Sequence, residues 1–121
     1  MNDTIRGILE KLNQAPGVKG SAVVTADGIM VKSALADSST EEVVSGLISF
    51  LLSTTRRSLE EGGLGSLRRF AMHCTHGKIV LCDLGESCLV AVTDQFTNLE
   101  ECLAAVDTAA KQVAVAARIR I

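Results

Sequence analysis

The segment from about residue 40 to 60 reads as one long helix that is apolar around too much of its circumference. At helical spacing, Val43, Val44, Leu47, Ile48, Phe50, Leu51, Leu52 and Leu59 fill an arc of about 200°, whereas one core-facing stripe needs only about 100° or a little more. Half of that arc covers a sheet; the other half needs a partner. Ser45, Gly46, Ser49 and Ser53 occupy the remaining sector, a small-residue stripe that lets another helix approach closely. Ser39 and Glu42 stand in capping-box spacing. Glu41 and Glu42 sit at the positive end of the helix dipole, Arg56 and Arg57 toward the negative end. Gly62-Gly63 closes the helix.

The flanking sequence supplies the sheet. Residues 3–14 form a first helix, with Ile5, Ile8, Leu9 and Leu12 on one face; Pro16-Gly17 ends it. GSAVVTA is β-rich, Asp27-Gly28 predicts a type I′ turn pairing Ala26 with Ile29, and IMVKSA leads back. Three further strands are expected at 67–75, 78–84 and 87–93, joined by short Gly-containing turns, hence antiparallel. Thr97 and Glu100 make a second capping box for a helix over 98–116, striped by Leu99, Leu103, Val106, Ala110, Val113 and Ala117. The order is α-β-β-α-β-β-β-α. The expected class is α/β of the α+β kind: one five-stranded antiparallel sheet in one domain over residues 1–121. VLC and CLVAV are apolar at consecutive positions, so helices cover both faces.

Composition narrows the function. The net charge is -2, and no basic stripe interleaves with aromatics; nucleic-acid binding needs clustered Lys and Arg. The longest uncharged run, between Glu42 and Arg56, falls short of the roughly 20 apolar residues of a membrane span. The N-terminus carries acidic residues and lacks the apolar core of a secretory signal. A cytoplasmic protein without nucleic-acid or membrane partners is expected.

No catalytic constellation emerges. His73, Cys74 and His76 are close in sequence, but strand alternation sends His73 and Cys74 to opposite faces and zinc wants about four ligands. There is no G-x-S-x-G elbow, and the GGLG cluster at 62–65 lacks the Lys and Ser or Thr of a phosphate loop. Asp83, Glu86 and Asp94 read as solvated loop charges rather than a calcium site. Cys74, Cys82, Cys88 and Cys102 contain no C-x-x-C pair and read as reduced, structural thiols within apolar strings. No enzyme, cofactor or metal is expected.

The simplest partner for the surplus apolar arc is a second copy, because two-fold homodimers dominate soluble oligomers. The expected interface combines Val43, Leu47, Phe50 and Thr54 of the long helix with Arg68 and Phe70 of the strand after it, which has charges suited to a sheet edge. Arg56 and Arg57, with Arg68 and Arg69, are candidates for partner contact or plain solvated charges.

At this point the chain resembles the roadblock/LC7 family. The resemblance lies in PGVKGSAVVTADGIMV (16–31), EEVVSGLISFLLSTTRRSLEEGGLG, HGKIVLCDLGESCLVAVTD and Thr97-Asn98-Leu99, in that order. It implies homo- or heterodimers formed through the long helix and adjacent strand. It also implies a scaffold or regulator of a small Ras-like GTPase, as in a bacterial gliding-motility member that acts as a GTPase-activating partner. The alternatives are a structural assembly subunit or a profilin-like ligand-sensing domain.

Overall fold

The computed structural model describes residues 2–36 and 38–119. Its elements run α1 (Asn2–Leu12), β1 (Val18–Thr25), β2 (Met30–Ala34), α2 (Ser38–Glu61), β3 (Arg69–Cys74), β4 (Gly77–Asp83), β5 (Ser87–Thr93) and α3 (Leu99–Ile119). The strands form one antiparallel sheet in the order β2-β1-β5-β4-β3. The fold is α+β, in the element order the sequence implies.

Two cores explain the double apolar patterning. On one face, Ile5, Leu9 and Leu12 of α1 and Cys102, Val106, Ala109 and Val113 of α3 pack on Val23, Val80, Leu89 and Ala91. On the other, Val44, Ile48 and Leu52 of α2 pack on Ala22, Val24, Leu81, Cys88 and Val90. Adjacent residues such as Val23 and Val24 therefore serve opposite cores, which is why these strands read as unbroken apolar runs. In α3 the buried line is Cys102, Val106, Ala109, Ala110, Val113 and Ala116. The expected stripe was rotated from it, since Leu99, Leu103 and Ala117 are only half-buried.

Three local expectations are corrected. The first helix stops at Leu12 rather than 14, because Asn13 turns its carboxamide to the sheet. Its Nδ2 donates to the Ala34 carbonyl at 3.0 Å, and its Oδ1 accepts from the buried Ser21 hydroxyl at 2.7 Å. The β1–β2 turn is not type I′. That turn needs positive φ at both central residues, and here Gly28 alone has it, at 92°. The loop spans residues 26–28: the Thr25 amide donates to the Ile29 carbonyl at 2.8 Å, so Thr25, not Ala26, faces Ile29. Thr97 does not cap α3. Its hydroxyl donates to Asp94 Oδ1, and Asn98 Oδ1 instead accepts from the Glu100 amide at 3.0 Å.

At the other helix ends, the Ser39 side chain of the first capping box lies outside the described residues. The Gly62-Gly63 stop is present as a Schellman motif. Gly63 has φ of 71°, and the Leu64 amide reaches back to the Leu59 carbonyl at 2.9 Å.

Candidate interaction face on α2 and β3

The position of α2 is fixed at three places. Val44, Ile48 and Leu52 drive it onto the sheet. The β1–β2 turn then seats Gly28 against Ser45 and Ser49: a Cβ on Gly28 would lie 2.8 Å from the Ser49 Cβ. Those two serines thus admit a turn of the same chain rather than another helix. Third, Arg56 grips the β4–β5 turn. Its Nε donates to Asp83 Oδ2 at 2.7 Å, and one Nη donates to Asp83 Oδ1 and to the Gly85 carbonyl at 2.6 Å. The Asp83 side chain is 7% exposed, so it is not the solvated loop charge its position implies. Its hydrogen bond raises the Arg56 pKa further, as expected when the charged form is the one bonded.

These anchors settle which half of the apolar arc faces the sheet. Val43, Leu47, Phe50, Thr54 and Arg57 are spaced to share the outward side. Val43 is 66% and Phe50 67% exposed, Leu47 is half-buried, and Thr54 and Arg57 are exposed. The expected interface residues of α2 therefore share one outward stripe. Of the two candidate arginines, Arg57 extends that stripe; Arg56 is turned inward and spent on Asp83. Gly46 and Ser53, placed by the sequence with the small sector, are exposed at its flank.

One edge of the sheet is β3, on whose α2 side Phe70 packs. Among the described residues β3 pairs only with β4, from Arg69 opposite Cys82 to Cys74 opposite Gly77. Its other side offers free backbone donors and acceptors, the property of an edge strand. Phe70 is half-buried against the α2-side core, and Arg68 is exposed. Met72, two residues on from Phe70 and opposite Ile79, belongs to the same face. Period-two alternation from Phe70 places it beside the expected interface residues of β3. Arg69 lies on the opposite face and pairs with Asp107 at 2.8 Å.

The other sequence candidates do not converge. Cys74 is exposed, contrary to its expected burial; Cys82, Cys88 and Cys102 are buried. Burial pushes the Cys82 thiol up to about 11 and the Cys88 thiol up to about 12. Such thiols stay protonated near neutral pH and are poor nucleophiles. His73, Cys74 and His76 are exposed at the β3–β4 turn. Among the described residues no three His, Cys, Asp or Glu form a metal-binding group. No helix there is long and apolar enough to cross a membrane.

The geometry defines a two-sided α+β sheet with an open apolar stripe on α2 and, among the described residues, unpaired edges at β2 and β3. The Roadblock/LC7 domain model matches residues 5–93. Two uncharacterized proteins of Methanocaldococcus jannaschii are 37% identical over 92 residues, covering 76% of this chain and 81% of theirs. The chain belongs to the Roadblock/LC7 domain family. Among solved structures it is similar to Myxococcus xanthus MglB, with a TM-score of 0.87 at 14% identity and 94% of each chain covered. An MglB with a tetrameric arrangement has a TM-score of 0.87 at 15% identity, over 98% of this chain and 91% of that one. At these identities the two structures establish the shared fold.

Proposed function

We propose that this chain, one Roadblock/LC7 domain over residues 1–121, is a non-enzymatic cytoplasmic module that works as a homodimer and regulates or scaffolds a small Ras-like GTPase. The observation that carries this reading is the outward α2 stripe of Val43, Leu47, Phe50 and Thr54 together with the edge strand β3, whose Phe70 packs into the α2-side core and which Arg68 precedes. Burying one large apolar side chain is worth about 1.5–3 kcal/mol, so a helix that holds Val43 and Phe50 in water gains by meeting its copy. The copy's β3 then extends the sheet through the two free edges. The tetrameric arrangement of the similar MglB supports self-association. The GTPase half rests on the family resemblance, and Arg57 at the end of the stripe is the charged contact it offers.

Sizing by light scattering tests the dimer. Wild type runs as a dimer at micromolar concentration. Phe50→Asp runs as a folded monomer with unchanged far-ultraviolet circular dichroism, because the dimer would bury an unpaired charge. A monomeric wild type, or a folded Phe50→Asp that stays dimeric, overturns the interface. The partner half is tested by measuring binding and GTP hydrolysis with a Ras-like GTPase of the same genome; absence of any binding overturns it.

A further inference from the structure

The chain has only three Phe, and two of them, Phe50 and Phe70, lie on the α2–β3 face. The third, Phe96, is 85% exposed in the β5–α3 connection. Its backbone is held firmly. Asp94 Oδ1 accepts from the Phe96 amide at 2.9 Å, from the Thr97 amide at 2.7 Å and from the Thr97 hydroxyl at 2.6 Å. Lys78 Nζ adds a bond to the Thr97 carbonyl. A preorganised aromatic loses little freedom on docking, and aromatics dominate interface energetics.

The same chain carries a matching surface. An apolar groove runs between α1 and α3, lined by Gly7, Ile8, Val115 and Ala116, with Lys11 and Lys111 at its rim. A side chain built at Gly7 would enter open space. Along α3, Glu100, Glu101, Ala104, Thr108, Lys111, Gln112 and Val115 share one exposed stripe, flanked by Asp107, which pairs with Arg69. The stripe opens on two acids, continues through the small Ala104 and Thr108, and carries Lys111 beyond them. That order is self-complementary when reversed. In an antiparallel pair crossing at the level of Val106, Glu101 and Lys111 lie equally far from the crossing on opposite sides. So do Ala104 and Thr108, and Phe96, just before α3, lies toward the end of the pair where the partner copy's groove at Ala116 sits.

The geometry points to a second self-association surface: α3 packs antiparallel on α3 of another copy, with Phe96 of each copy in the α1–α3 groove of the other. The acidic ends meet Lys11 and Lys111, and the small residues at the crossing let the helices approach. One two-fold axis satisfies both grooves at once, so the contact closes. It uses neither α2 nor β3 and joins the proposed dimers into larger assemblies.

Sedimentation velocity from micromolar to hundreds of micromolar tests it, in variants at exposed positions whose fold is checked by circular dichroism. Wild type forms a species larger than the dimer. Lys111→Glu, Glu101→Lys and Phe96→Ala each remove that species. The double swap Glu101→Lys/Lys111→Glu restores it, because opposite charges again face each other. A double swap that restores nothing overturns the contact. So does a wild type that stops at one dimer, lost in Phe50→Asp and kept in Lys111→Glu; that outcome leaves the α2–β3 reading standing. A dimer lost in Lys111→Glu and kept in Phe50→Asp supports the α3 contact and overturns the α2–β3 reading.

Discussion

Single residues decide how the pieces of this fold touch, and glycines show it best. Gly17 and Gly63 both have positive φ, 80° and 71°. At Gly63 a Cβ would meet nothing within 4 Å, while at Gly17 it would fall 1.7 Å from Thr97 Oγ1. Gly17 therefore holds two constraints, a left-handed backbone and close approach to the Asp94–Thr97 turn. Gly63→Ala is expected to cost about 1–2 kcal/mol, the left-handed penalty alone. Gly17→Ala adds an overpacking cost of about 1–3 kcal/mol. Urea melts of the two variants measure the difference; equal midpoints would refute the packing role. Only part of this is visible in sequence. Pro16-Gly17 announces a chain break, but the neighbour of Gly17 is Thr97, which no local pattern connects to it. The Thr97 capping pattern fails for the same reason: its partner Asp94 lies three residues before it, and a capping-box pattern looks only forward.

At the scale of elements, the number, order and type of helices and strands were readable because each carries a periodic apolar pattern with turn residues between. The over-wide arc of α2 was readable as well, but its orientation was not. Val43 and Val44 are equivalent by composition. What separates them is Gly28 against Ser49 and Arg56 on Asp83, both made to distant segments. The two sides of α2 should then respond differently to truncation. Ile48 is fully buried against the sheet, so Ile48→Ala costs about 2–5 kcal/mol. Val43→Ala, on the outward stripe, changes the monomer by less than about 0.5 kcal/mol. Both are to be measured by chemical denaturation in the Phe50→Asp background, where association does not contribute. Comparable losses at the two positions would mean that the stripe is not outward.

Taken as a whole, the molecule is a sheet with helices on both faces and, among the described residues, two unpaired edges, β2 and β3. The edges are not alike. β2 is short, its five residues are all half-buried, and Leu35 beyond it packs into the α2-side core. β3 alternates exposed and half-buried residues until His73 and Cys74, both exposed, and its Phe70 packs into the α2-side core. If a second copy completes the sheet at β3, backbone amides there gain partners that the isolated chain lacks. Amide hydrogen exchange reads this directly. The inner strands β1, β5 and β4 exchange slowly in wild type and in Phe50→Asp alike, since each is paired on both sides. β2 exchanges at the same rate in both proteins. The outward amides of β3 exchange quickly in the monomeric variant and slowly in wild type at concentrations where it is dimeric. β3 rates that match in the two proteins would exclude sheet extension and confine the dimer to the helices, because new backbone pairing at that edge would have to slow them.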